Sequence, residues 1–199
     1  MIPARSQHPL VDGRFRLIRT LGQGGMGTIY EVLHELTGHR RALKLLTCST
    51  DQQNVIRFFR EASAASRIAD PHVLEVYDAG CLASGQAYIL MELLEGRTLA
   101  SHLHEAENAK LAQLVELALQ VCSALASAHD AGVVHRDIKP ANLFVLERNG
   151  AAFVKILDFG KHDRTFHWPS RRSSSGRWPA SVRDVSARRV RSPRRCAAL

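Results

Sequence analysis

The chain has 199 residues, 45% apolar and 23% charged, which suits one sound hydrophobic core or two small lobes and excludes a collagenous or wholly disordered polymer. The net charge of +8 is uneven: residues 161–199 carry ten arginines and Lys161 against Asp163 and Asp184, a balance of +9, so the first 160 residues sum to −1. Cys48, Cys81, Cys122 and Cys196 are too scattered for a zinc knuckle or disulfide framework, the N-terminus lacks a secretory apolar core, and no uninterrupted apolar run reaches the roughly 18 residues of a membrane span, so a cytoplasmic protein without a membrane segment is expected.

Phe15 to Leu21 alternates apolar and polar side chains, the period of a half-buried strand. The glycine-rich run Leu21-Gly-Gln-Gly-Gly-Met-Gly-Thr-Ile-Tyr30 leads into a second strand ending near Leu33. Gly22, Gly24 and Gly27 can lie close over a phosphate chain that any Cβ would obstruct, or can serve only a flexible hairpin. Because they stand between two strands and do not open a helix, a dinucleotide-binding fold is disfavoured. After a turn at Thr37-Gly38, Arg41 to Leu46 forms a third strand with Lys44 among apolar neighbours. A lysine there is either an exposed edge residue or a phosphate ligand that needs a carboxylate to hold its flexible stem. The next helix, capped by Thr50 or Asp51 and stopped at Asp70-Pro71, offers Glu61 on the side of Phe58 and Ala65; alone, Glu61 would be an ordinary solvated charge.

His72 to Gly80 and Ala87 to Glu92 read as two more strands joined across Ala83-Ser84-Gly85, and Met91 to Gly96 as an extended link. Thr98 is a candidate N-cap for a short helix to about Glu105, and Asn108 for a long one to His129. The long helix sets Leu111, Leu114, Ala118, Val121, Leu125 and Ala128 on one face, which Leu117, Leu119 and Cys122 widen. That breadth suits a helix made to be covered on most sides; because the motifs stop after Asp158-Phe-Gly160 and the helices that would cover it do not follow, much of it is expected to face water. Gly132 ends it.

Val133 to Asn142 follows, a loop with a carboxylate at Asp137, a cation at Lys139 and a carboxamide at Asn142. These groups suit phosphoryl transfer: Asp137 as proton acceptor, Lys139 against charge on the moving phosphoryl group, Asn142 as an oxygen ligand to a hard cation. An apolar strand over Leu143 to Leu146, a turn at Arg148-Asn-Gly150 and a strand over Phe153 to Leu157 lead to Asp158-Phe159-Gly160, where a carboxylate is placed to hold Mg2+.

In this order Gly22-Gln-Gly-Gly-Met-Gly27, Ala42-Leu-Lys44, Glu61, His135-Arg-Asp137 with Asn142, and Asp158-Phe-Gly160 resemble the motifs of eukaryotic-type protein kinases in their bacterial serine/threonine form. The resemblance covers about residues 14–160. It implies an α+β, two-lobed kinase-like fold: a tail over 1–13, an N-lobe of five antiparallel strands and one helix with its hinge over 14–96, and only the first part of a helical C-lobe over 97–160. It implies ATP and Mg2+, with Lys44 on the α- and β-phosphates and paired to Glu61, Asn142 and Asp158 on the metal, and Asp137 as base. Adenine would meet backbone groups of Glu92 and Leu94 between Leu21, Ile29, Ala42 and Phe144, with Met91 as gatekeeper. Lys139 is the serine/threonine mark, and His135 and Phe159 would be packing residues. The partner implied is a protein bearing serine or threonine; nucleic acid is not clearly indicated, and oligomeric state is not legible.

After Gly160 the motif series stops, and residues 161–199 turn rich in Arg, Ser and Pro without periodicity. A reading-frame shift near codon 160 or a truncated gene is the expected cause, and a basic arm for nucleic acid or acidic lipid the rival. The expectation is weak Mg-ATP binding and slight or no peptide phosphorylation. The alternatives to a kinase are an inactive ATP-binding regulatory fragment and a basic nucleic-acid binder.

Overall fold

The structure, a computed structural model, describes residues 8–47, 52–105 and 111–159. The expected caps at Thr50, Asp51 and Asn108, Gly160 and the basic segment lie outside them. The described residues divide into two compact units, one from residues up to 55 with 77–93, the other from 56–76 with 94–159.

The first unit is a six-stranded antiparallel sheet. Its strands are β1 (Leu10–Val11), β2 (Phe15–Gly24), β3 (Gly27–His34), β4 (Arg40–Leu46), β5 (Val76–Cys81) and β6 (Ala87–Met91), in the spatial order β1-β2-β3-β4-β6-β5. β1, from the expected N-terminal tail, joins the five strands legible in the sequence. Alternation sorts the side chains. Phe15, Val32, Leu43, Leu45, Tyr88 and Leu90 form a core on one face, whereas β6 is buried throughout. Register shifts after Leu17 and Thr20 bend β2. The sheet also ties its two ends together. Asp12 accepts from Ala83 N–H at 3.1 Å, Arg14 donates to Asp12 and to Tyr88, and Tyr88 donates to Asp78 at 2.6 Å. Burial and the Asp78 carboxylate hold the Tyr88 phenol well above its ordinary value.

The second unit packs α1 (Gln52–Ser66), α2 (Leu99–Glu105) and α3 (Leu111–Asp130) with a three-stranded sheet of β7 (Gly96–Thr98), β8 (Leu143–Arg148) and β9 (Ala151–Ile156). α1 buries Phe58, Glu61, Ala62 and Ala65 at helical spacing, and Ala64, Ala65 and Ile68 join Leu117, Val121 and Ile156 in one core. Thr98 caps α2, its hydroxyl accepting from Ser101 N–H at 3.2 Å. The left-handed Gly132 (φ 70°) closes α3, with Val133 N–H reaching back to the Ala128 carbonyl at 2.8 Å. The β8–β9 turn is left-handed at both Asn149 and Gly150.

Two expectations change. The link before Gly96 ends in a strand, since Gly96 pairs with Leu146 and a Cβ there would collide with the Val145 carbonyl. The segment from His72 begins as a short parallel bridge from Val73 to Ile156, and regular pairing starts only at Val76. As expected, much of α3 faces water: its buried stripe is narrow, Leu117, Val121, Ala124 and Ala128, and Leu111 (76% exposed), Ala118, Leu119 (66%) and Cys122 point outward. By length and composition alone α3 is long and apolar enough to cross a membrane, a test that the core helix of a soluble protein also meets.

Candidate functional site

The loop from Val133 to Asn142 is built by backbone and side-chain bonds that converge on Asp137. Arg136 takes a left-handed conformation (φ 64°), which turns the chain between His135 and Asp137. His135 is 2% exposed. Its Nδ1 accepts from Asp137 N–H at 3.2 Å, so the ring is neutral and its Nε2–H donates to the Leu157 carbonyl at 2.8 Å. The same ring meets Phe159 edge-on at 4.6 Å. The resemblance implied packing roles for His135 and Phe159; the polar tie from the Asp137 backbone to the residue before Asp158 was not legible.

Lys139 Nζ lies 3.0 Å from Asp137 Oδ2. Asn142, 5% exposed, stands in a single 3-10 turn over Pro140–Asn142 and donates its amide to the same Oδ2 at 3.0 Å and to the Asp137 carbonyl at 2.7 Å. Those bonds use the amide nitrogen, leaving the carboxamide oxygen outside them. The Asn142 carbonyl accepts from Leu157 N–H at 2.9 Å, so Leu157 is fixed on both sides. Asp158 comes next, half-buried and left-handed at φ 59°, and Phe159 is buried. A carboxamide oxygen and a carboxylate are hard donors of the kind Mg2+ takes alongside phosphate and water.

In the first unit the strand register gathers a second set of expected residues. Lys44 stands opposite Ile29 of β3 and Ile89 of β6, Ala42 opposite Met91, and Gly22 opposite Ile29. Opposed residues and residues two apart share a face, so Gly22, Ile29, Ala42, Lys44 and Met91 lie on the face away from Leu43 and Leu45. Farther along that face Glu31 is fully buried between Arg19 at 2.8 Å and Arg40. Burial raises the Glu31 pKa, but the two guanidiniums more than offset it and hold the carboxyl below its ordinary value.

The glycines are not alike. A Cβ on Gly27 would collide with the Leu45 carbonyl, so the fold itself demands glycine there. Gly22 and Gly24 have open space where a Cβ would go and no left-handed φ. Nothing in the packing of the described residues requires them. Leu21, in the bulge, is 38% exposed, and Glu92 follows β6 half-buried. Glu61, Leu94 and Phe144 belong to the second unit, Glu61 buried on α1 and Phe144 opposite Thr98 on β8.

Residues 15–173 match the protein kinase domain family, which carries the likeness beyond Gly160. The serine/threonine-protein kinase Pkn1 of Myxococcus xanthus is 40% identical over 161 residues, covering 78% of this chain and 23% of that protein. The probable serine/threonine-protein kinase pknA2 of Bifidobacterium longum is 36% identical over 156 residues, covering 76% and 20%. The chain thus spans about a fifth to a quarter of the length of these relatives. The PknI kinase domain of Mycobacterium tuberculosis superposes with a TM-score of 0.65 at 30% identity, over 81% of this chain and 64% of that one.

Proposed function

The chain belongs to the protein kinase family, and from that premise we propose that it is built to transfer the terminal phosphoryl group of Mg-ATP to a serine or threonine hydroxyl of a protein. The observation that carries this reading is the Asp137 carboxylate, whose Oδ2 lies within 3.0 Å of both Lys139 and Asn142. Asp137 accepts the proton of the attacking hydroxyl, and Lys139 beside it neutralises charge on the transferring group. Gly22 and Gly24 leave the backbone open to a phosphate chain, Gly27 holds the hairpin against β4, and Lys44 takes the α- and β-phosphates with Glu61 as the carboxylate the family pattern assigns to it. For adenine the family pattern assigns Leu21, Ile29, Ala42, the gatekeeper Met91 and the Glu92 backbone from the first unit, and Phe144 and the Leu94 backbone from the second. Asn142 and Asp158 hold Mg2+, which when bound offsets the negative charge of the phosphates. The protein does little covalent chemistry; it positions groups and stabilises charge.

A second reading, an ATP-binding regulatory fragment without turnover, is favoured by the outward apolar side chains of α3, Leu111, Val115 and Leu119, a surface suited to a partner. Labelled γ-phosphate transfer to a serine peptide separates the two. Slight incorporation, lost in Asp137→Asn while Mg-ATP binding persists, supports the kinase. Binding without transfer supports the fragment, and no binding of Mg-ATP overturns both.

A further inference from the structure

β9 delivers Asp158, and among the described residues its outer edge has no neighbouring strand, only the Val73–Ile156 bridge, since the three-stranded sheet runs β7-β8-β9. An edge strand with inward-packed residues, here Val154 and Ile156 at 0% exposure, leaves backbone polar groups that need partners. Residues from elsewhere in the second unit supply them. The Ile156 N–H donates to the His72 carbonyl at 2.7 Å, and the Ile156 carbonyl accepts from Leu74 N–H at 3.1 Å. His72 Nδ1 lies 2.9 Å from the Val154 carbonyl, with the ring stacked on Phe153 at 4.2 Å. The remaining pair is met by one side chain of α3: Gln120 donates through Nε2 to the Ala152 carbonyl at 3.0 Å and accepts through Oε1 from Val154 N–H at 2.9 Å.

A primary carboxamide carries the donor and acceptor of a peptide group in one plane. With one N–H on the same side as its oxygen, Gln120 therefore completes the edge ladder as the N–H and C=O of a single residue in a neighbouring parallel strand would. Three residues past Val154, Leu157 is tied to the Asn142 carbonyl and to His135, and Asp158 follows. The other end of α3 runs through Gly132 into the Asp137 loop. One side chain thus fastens the strand that ends at Asp158 to the helix that leads to Asp137.

We infer that Gln120 is a positioning residue: by standing in for a strand along β9 it fixes the placement of Asp158, and with it the binding of Mg2+ alongside nucleotide. It touches no reacting group. The metal part rests on the phosphoryl-transfer reading above; the coupling from Gln120 to residues 157–159 does not. A neutral side chain of similar size that lacks the amide, as in Gln120→Leu, leaves Val154 N–H and the Ala152 carbonyl without partners. Gln120→Glu keeps the acceptor for Val154 N–H but sets an oxygen against the Ala152 carbonyl.

The test uses the full chain and two readouts. Backbone amide exchange should quicken about tenfold or more at Val154 and also at Leu157 in Gln120→Leu, with β2–β4 unchanged, as expected for loss of a buried hydrogen-bond pair. Calorimetry of ATP with and without Mg2+ should show the Mg2+-dependent gain in affinity falling about tenfold while Mg2+-free ATP binding stays within about twofold. Gln120→Glu should fall between Gln120→Leu and the parent on both, and it carries the comparison alone if Gln120→Leu does not fold. Faster exchange confined to residues 152–154, or an unchanged Mg2+ dependence in a folded variant, overturns the inference and leaves Gln120 a structural residue only. Should the parent chain bind no Mg-ATP, the function proposed above fails, and the exchange pattern at Leu157 still decides whether Gln120 positions the strand end.

Discussion

Asn142 donates its side-chain amide to both the backbone carbonyl and the Oδ2 of Asp137, at 2.7 and 3.0 Å, and so ties the loop that carries Asp137. Truncating it should cost twice, once in loop stability and once in metal binding. Asn142→Ala is expected to lower unfolding stability by about 1–3 kcal/mol, the usual range for unpairing buried polar groups. Denaturant unfolding reads the first effect. The Mg2+ dependence of ATP binding reads the second.

His135 separates packing from polar tethering. Phenylalanine in its place keeps an aromatic ring against Phe159 but leaves Asp137 N–H and the Leu157 carbonyl without the bonds measured at 3.2 and 2.8 Å. His135→Phe should lose about 1–3 kcal/mol in chemical denaturation. A change below about 0.5 kcal/mol would mean that the ring contributes by packing alone.

Two glycines of one hairpin should answer differently to the same methyl group. Gly27→Ala drives a Cβ into the Leu45 carbonyl and should destabilise by about 1–3 kcal/mol or more. Gly24→Ala meets open space and should leave the melting temperature unchanged while weakening Mg-ATP binding. An Mg-ATP affinity for Gly24→Ala equal to the parent's would mean that this glycine serves the hairpin only.

Glu31 sets an acid limit on the first unit. Its carboxyl is held below the ordinary 4.5 in the folded chain: burial opposes the charge, but Arg40 and Arg19 outweigh it. A lowered folded pKa contributes stability above the unfolded value and loses it as pH falls toward the folded one. The melting temperature of the parent relative to Glu31→Gln should therefore be highest near neutrality and decline as pH drops below about 4.5. A gap that stays constant from pH 7 to pH 3 would contradict the pairing.

Much of this was readable before any coordinates, because the local rules and the packing agree. Thr98 caps its helix, Gly132 stops α3, Asn149-Gly150 turns a hairpin, and Ala42 and Lys44 fall on one strand face by simple alternation. What escaped was long-range. Nothing near Gln120 in the sequence says that it pairs with a strand more than thirty residues later. The ring bonds of His135 depend on where Leu157 comes to rest. β1 was missed because two residues, Leu10–Val11, carry no period. The exposure of α3, by contrast, was legible: its apolar breadth asks for cover that the motif series, ending at Gly160, does not continue to supply, and only the stripe from Leu117 to Ala128 is buried.

The most direct measurement is calorimetric titration of ATP into the full chain with and without Mg2+, in the parent, Lys44→Met and Asp158→Asn. The expected result is weak, Mg2+-dependent binding to the parent that both substitutions abolish while the melting temperature without ligand stays the same. Equal binding in all three proteins, or binding to the parent that ignores Mg2+, would contradict the proposed phosphoryl-transfer site.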